Sequence, residues 1–131
     1  MCIFGIMNMQ AVPQAGGEAP EELFGLLADR TRLRLLAVLA LASDGERGVC
    51  VGDLVEALDL PQPTVSRHLG HLRRAGWLRA SRREPWVHYA LEPAAAAGRL
   101  PSFLELCRDA DFERDRERLR RLERDGGCCP P

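Results

Sequence analysis

The stretch Leu60-Pro61-Gln62-Pro63-Thr64-Val65-Ser66-Arg67-His68-Leu69-Gly70-His71-Leu72-Arg73-Arg74-Ala75-Gly76 decides the fold. Pro63 suits the first turn of a helix, where the backbone N–H has no intrahelical acceptor. Gly76 suits the left-handed residue just past a helix end. The segment between them predicts a helix over 63–76. At about 100° per residue, Val65, Leu69 and Leu72 fall in one narrow stripe, the face that must be buried. Arg67, His71, Arg74 and Thr64 fall on the opposite side, giving a polar and basic outer face. Asp59 to Gln62 is a tight connection, and the residues before it, Gly52 to Leu58, read as a shorter helix. Two short helices joined by such a turn form a helix-turn-helix.

Working outward, Trp77–Ser81 and Trp86–Leu91 read as two strands, with Val87, Tyr89 and Leu91 alternating against Trp86, His88 and Ala90. Arg82, Arg83, Glu84 and Pro85 form the turn between them. Val49–Val51 reads as a short extended stretch. On the N-terminal side, Pro20-Glu21-Glu22 opens a helix to about Ala28, with acids at the positive end of its dipole. Asp29 caps a second helix, Arg30 to about Ala42, with an apolar stripe of Leu33, Leu36, Ala37 and Ala40. Ser43 to Gly48 is a loop. Pro93 and the alanines after it begin another segment, and a last helix runs from about Pro101 to Asp125, with Asp109-Ala110-Asp111 as a bend. The expected architecture is mainly α with a β-hairpin wing, a winged helix-turn-helix. Residues 1–19 are expected to be disordered, 20–125 to form the folded domain, and 126–131 to be a flexible tail.

The chain has 131 residues, 46% of them apolar, enough for one core and not for two. Its net charge is −1, from 18 basic residues (all arginine) and 19 acids, which excludes coating nucleic acid by bulk charge. The distribution is uneven. Residues 1–60 carry −5, residues 61–91 carry +5 and residues 92–131 carry −1. The +5 block falls on the helix-turn-helix and the hairpin, and one-signed clustering of this kind points to an anionic partner, double-stranded DNA. Gln62, Thr64, Ser66, Arg67, His68, His71 and Arg74 are the candidate contacts from the helix, and Arg82 and Arg83 those from the wing. Arginine forks match guanine edges and phosphates, and hydroxyls in a first helical turn meet phosphate beside free N–H groups. No apolar run is long enough to cross a membrane, and Met1–Met7 lacks the basic flank of a signal peptide, so a cytoplasmic location is expected.

Five cysteines, Cys2, Cys50, Cys107, Cys128 and Cys129, make an odd count that includes an adjacent pair. Without a secretory signal they read as thiols rather than a disulfide framework: core residues, soft-ion ligands or redox sensors.

Leu27-Ala28-Asp29-Arg30-Thr31-Arg32-Leu33-Arg34-Leu35-Leu36, Leu60–Leu69, Leu72–Gly76 and Trp86-Val87-His88-Tyr89-Ala90-Leu91 together resemble the ArsR/SmtB metalloregulatory repressors over about residues 21–92. The resemblance implies a homodimer paired through its first and last helices, binding an inverted repeat near a promoter and released when an inducer binds. It implies no enzyme and no organic cofactor. Arsenic-responsive members carry Cys-Val-Cys-Asp-Leu at the start of the third helix. Here the stretch is Cys50-Val51-Gly52-Asp53-Leu54, so the second thiol is missing. The cadmium/lead type needs the same pair. The zinc/nickel/cobalt type needs histidine on the last helix, and none follows His88. The remaining candidate is an arsenic(III) site built from Cys128 and Cys129 with a third sulfur from Cys107 or Cys50. A straight helix would hold Cys107 about 30 Å from Cys128, so such a site needs a bend, a folded-back tail or a partner subunit. A thiol-redox or persulfide-responsive repressor is the alternative reading. A thiol arsenate reductase would need a cysteine opening an anion-cradling loop, and none does.

Overall fold

The computed structural model describes residues 19–42, 47–83 and 85–127. Helix α1 (Pro20–Leu27) starts as its sequence predicts, with Pro20 in the first turn and the Glu22 carboxylate accepting a hydrogen bond from the Ala19 N–H at 3.2 Å. Helix α2 (Arg30–Leu41) is capped by Asp29, whose side chain accepts from the Arg32 N–H at 3.1 Å. The expected stripe on α2 is too narrow. Leu35, Leu36, Ala37, Val38 and Leu39 are all buried, while Ala40 is exposed. A helix buried all round is one enclosed by neighbours, and α2 is packed by α1 and by four further helices and the wing described next.

Strand β1 (Val49–Cys50) leads into α3 (Val51–Leu58), and α4 (Gln62–Arg74) follows after Asp59, which adopts a left-handed conformation with φ 55°. Val65, Leu69 and Leu72 are fully buried, so the stripe read from the sequence is the one the fold uses. Helix α4 ends as Gly76 turns to φ 85°, with the Trp77 N–H donating to the Leu72 carbonyl at 3.0 Å. That bond satisfies a carbonyl the helix end would otherwise leave open, and only glycine adopts the turn without strain. Strands β2 (Leu78–Arg83) and β3 (Trp86–Leu91) form the wing, paired antiparallel from Leu78 opposite Leu91 to Arg83 opposite Trp86. Arg82 and Arg83 therefore belong to the strand, not to the turn. Strand β1 joins the outer edge of β3, placing Val49 opposite Tyr89 and Cys50 opposite His88, so the sheet order is β1-β3-β2.

Three helices complete the chain: α5 (Pro93–Ala97), α6 (Leu100–Leu104) and α7 (Ala110–Arg124). The single last helix expected over 101–125 is two helices, separated by residues 105–109. Asp109 makes the break by capping α7 through the Asp111 N–H at 3.1 Å. Arg30 of α2 fixes the break in space: one guanidinium nitrogen lies 2.7 Å from both Asp109 carboxylate oxygens and 3.1 Å from Asp111, and the group stacks 4.8 Å over Phe112. Helix α7 then lies across α2 and α3, burying Phe112, Asp115 and Leu119 on one face. Of the three expected parts, residues 1–18 and 128–131 lie outside the described residues. Among the described residues no helix is long and apolar enough to cross a membrane.

Candidate functional site

Helix α4 presents Gln62, Ser66, Arg67, Arg73 and Arg74 as exposed side chains, with Thr64 and His71 half-buried at its flanks. Pro61 precedes its first turn and Pro63 lies within it, and the N–H groups at that end have no partner within the helix. Arg74 folds back along the helix over Gly70, whose missing side chain leaves room: a Cβ there would sit 3.3 Å from the guanidinium. On the wing, Arg82 and Arg83 are exposed near the tip of the hairpin. Helix α4 and the wing thus carry the +5 block on adjoining elements, the arrangement that lets a helix enter a major groove while a hairpin reaches the flanking backbone.

His68 does not share the outer face. It is 7% exposed and turned into the seam between α4 and α2. There one Arg32 guanidinium nitrogen lies 3.3 Å from Nδ1 of His68 and 3.3 Å from Nδ1 of His71, while the same side chain donates to the Leu26 carbonyl at 2.6 Å. Asp29 stands 4.0 Å from His68. Burial pushes the His68 imidazole below its usual pKa, against the pull of Asp29. Arg32 is the functional residue that sequence reasoning missed. It fastens α4 to α2, and the only signal was its place in the first turn of α2, 36 residues before His68.

The cysteines divide between two ends of α7. Cys107 is a free thiol, 4% exposed, just before the helix begins, and burial pushes its pKa up. Arg116 donates to its carbonyl at 2.9 Å, fixing the backbone there. Cys50 is 2% exposed, is the residue capping α3, and is joined in a disulfide. At the far end of α7 the Gly127 N–H donates to the Leu122 carbonyl at 2.7 Å, and Gly127 arrives against α3. A Cβ on it would lie 2.7 Å from an Asp53 carboxylate oxygen. Asp53 is in the first turn of α3, three residues after Cys50. The chain therefore leaves α7 beside Asp53, with the 15 residues of α7, about 22 Å of helix, lying between that point and Cys107. Cys128 and Cys129 themselves lie outside the described residues.

One further group stands at this corner. His88, directly opposite Cys50 in the β1–β3 pair, is 7% exposed, and its Nδ1 has no hydrogen-bond partner. Burial lowers its pKa, Arg83 and Arg47 lower it further, and Asp53 opposes them.

Comparison with known proteins agrees with this geometry. Residues 27–79, which run from the end of α1 into the wing, match the model of a helix-turn-helix domain family. The arsenical resistance operon repressor of Escherichia coli is 50% identical over 74 residues, 56% of this chain and 60% of that protein. An arsenic resistance transcriptional regulator of Pseudomonas putida is 47% identical over 74 residues, 56% of this chain and 55% of its own length. The chain thus spans little more than half of those two relatives. A second arsenic resistance regulator of Pseudomonas putida is 36% identical over 121 residues, covering 84% of this chain and 97% of the relative. Likeness over nearly the whole of that protein, on a winged helix-turn-helix with a basic outer face, means that the chain belongs to the ArsR family of DNA-binding transcriptional repressors.

Proposed function

We propose that this chain grips operator DNA as a homodimer and lets go when trivalent arsenic binds its thiols, arsenite linking Cys50 to Cys128 and Cys129 and a methylated arsenical, with fewer free valences, bridging two of them. The observation that carries the reading is the approach of Gly127, one residue before Cys128, to Asp53, three residues after the third-helix thiol Cys50. The missing second thiol of the third helix, Gly52, is replaced by sulfurs arriving from the C-terminus of the same chain. Arsenite is a soft acceptor that prefers thiolates. Its three As–O bonds give way to three As–S bonds, and each thiol proton leaves with a hydroxide as water. Cys107, at the other end of α7, is a core thiol on this reading, as its burial and raised pKa favour.

Release follows from where the ligands attach. Helix α3 is the first helix of the DNA-binding pair, and its last carbonyl, on Leu58, accepts from Arg34 at 2.7 Å, so a pull on its N-terminus is transmitted to the element on which α4 rests. Gln62, Thr64, Ser66, Arg67, His71 and Arg74 with wing residues Arg82 and Arg83 make the DNA contacts, and His68 supports them from behind. Two exposed large apolar side chains support dimerisation through the first and last helical segments: Phe24 on α1, 59% exposed, and Leu106 after α6, 84% exposed.

A second reading is favoured by one observation, the disulfide at Cys50. If the same thiols answer to peroxide, a thiolate is first oxidised to the sulfenic acid and a second thiol then displaces water to close the disulfide. The two readings separate in one experiment. With fully reduced protein on its promoter DNA, Cys50→Ser and the double variant Cys128→Ser/Cys129→Ser should bind DNA as wild type and ignore arsenite, while Cys107→Ser responds normally. An arsenite response that survives loss of the tail pair would remove the tail from the site.

A further inference from the structure

The seam between α4 and the two helices behind it is built around one guanidinium. Arg32 of α2 directs its donors two ways. Toward α1 it donates from Nε to the Leu26 carbonyl at 2.6 Å and from one terminal nitrogen to the Gly25 carbonyl at 3.3 Å. Those carbonyls lie in the last turn of α1, which has no basic residue of its own, so Arg32 supplies the cation that the negative end of a helix favours. Toward α4 the other terminal nitrogen lies 3.3 Å from Nδ1 of His68 and 3.3 Å from Nδ1 of His71. That nitrogen carries two hydrogens, one for each imidazole. Arginine keeps its charge, so both Nδ1 atoms must accept, and both rings must be neutral with the proton on Nε2. The rings stand 6.1 Å apart and nearly perpendicular. The charges that act most strongly on His68 are Asp29 and Arg32 from α2 and Arg67 and His71 from its own helix. Asp29 is the one anion among them, 4.0 Å from His68 and already accepting from the Arg32 N–H. A proton on either Nδ1 replaces an accepted hydrogen bond with two cations facing each other across 3.3 Å.

We infer that Arg32 is a positioning residue for DNA recognition: it seats α4 against α1 and α2 through two neutral imidazoles, and protonation of that pair unseats the helix and loosens its hold on operator DNA. Burial gives the effect its direction. His68 is 7% exposed, so a cation formed there is shielded from water and is relieved only by moving the helix that carries it. Ser66 and Arg67, its neighbours in sequence, are exposed on the outer face, so a shift of α4 displaces the side chains offered to DNA. Reading base edges needs that geometry held closely, whereas attraction to phosphate does not. Acid therefore has two effects of opposite sign. Extra positive charge on α4 strengthens attraction to any DNA, while an unseated α4 weakens binding to the operator alone. The inference rests on α4 reading operator DNA, and not on arsenic or on any thiol.

The test follows the affinity of the full-length reduced protein for its promoter DNA by fluorescence anisotropy, from about pH 7.5 to about pH 5.5, the range over which histidine titrates. An unrelated duplex of the same length is measured alongside. Wild type should lose more than about fivefold in affinity for the promoter relative to the unrelated duplex, the loss setting in below about pH 6.5. His68→Gln keeps an acceptor for Arg32 but takes no proton, so its selective loss over the same range should be smaller. Arg32→Met removes the donors that require neutral rings. It should bind the promoter more than about tenfold more weakly than wild type at the neutral end of the range, with no further selective loss in acid. A promoter preference that holds or grows in acid would overturn the inference, as would a loss of full size in His68→Gln. Both comparisons stand even where Arg32→Met fails to fold. Near-ultraviolet circular dichroism at each pH separates unseating from unfolding, and a loss that only tracks unfolding of the chain also overturns it. A wild type that shows no promoter preference at any pH sinks the operator reading and this inference with it. A preference that is present but indifferent to acid sinks this inference alone.

Discussion

Arg32 reaches four partners from α2: the α1 carbonyls of Gly25 and Leu26 and the imidazoles of His68 and His71 on α4. Both imidazoles face it through Nδ1, so each must be unprotonated at that atom to accept. His68 titrates below its usual value, because burial disfavours the cation and Arg32 and Arg67 repel it. A folded pKa below the unfolded one means that the native state binds fewer protons in the interval between them. The stability His68 contributes is therefore present above about pH 6.5 and lost as pH falls through the folded pKa. The midpoint of thermal unfolding should drop between pH 7.5 and 5, and His68→Gln should shrink that drop. An unchanged pH dependence in the variant would remove His68 from the account. On the outer face of the same helix, Arg67→Ala and Arg74→Ala should each weaken operator binding by about 1–3 kcal/mol if they read bases, as measured by fluorescence anisotropy. The helical wheel was enough to bury Val65, Leu69 and Leu72 and to turn the arginines outward. It also sets His68 about 60° from Val65, at the edge of the buried stripe, but the partner that His68 meets there sits on another helix and no wheel shows it.

At the scale of elements, α7 is fastened to the DNA-binding core by one buried ion pair. Arg34 of α2 meets Asp115 of α7 through two bonds, 2.6 and 2.9 Å, with the carboxylate 1% exposed, and the second guanidinium nitrogen also donates to the end of α3. Three helices meet at that side chain. Asp115→Ala leaves the Arg34 cation without its partner in a largely dry site and should cost about 3–5 kcal/mol of stability in urea titrations. The double change Arg34→Met/Asp115→Leu should cost much less, since it removes both charges. Equal losses in the two variants would mean that packing, not the unpaired charge, sets the cost. Sequence reading saw Asp109-Ala110-Asp111 as a bend within one long helix, and the bend is a full break. Local chemistry explains the cap at Asp109. The separation of α6 from α7 depends on Arg30 gripping Asp109 and Asp111 from 79 and 81 residues away, a contact no local pattern carries. The turn of the wing moved for a similar reason: Arg82 and Arg83 pair with Val87 and Trp86 across the hairpin, which draws them into the strand.

Over the whole molecule, the near-neutral net charge and the basic block are parts of one design. The +5 of residues 61–91 is displayed on α4 and the wing, while acids elsewhere limit attraction to any DNA at all. Operator affinity should accordingly fall with added salt, and Arg82→Ala or Arg83→Ala should flatten that dependence, by about one counterion each where the side chain meets a phosphate. The DNA-binding half was legible because its signals are local: proline, a 3.6-residue stripe, glycine, then alternating strands. The thiol site was only half legible. The sequence names the candidate cysteines, but the proposal of Cys50 over Cys107 draws on the packing of α7 across α2 and α3, which no local pattern carries. The structure brings Gly127 against Asp53, and that contact supports the proposed choice of Cys50. The most direct test of the whole account is an anisotropy titration of the reduced wild-type protein, bound to its own promoter DNA, with arsenite. The account predicts release that saturates at one arsenic per chain. Protein that stays on the DNA through the arsenite titration, yet leaves it on addition of peroxide or polysulfide, would contradict it.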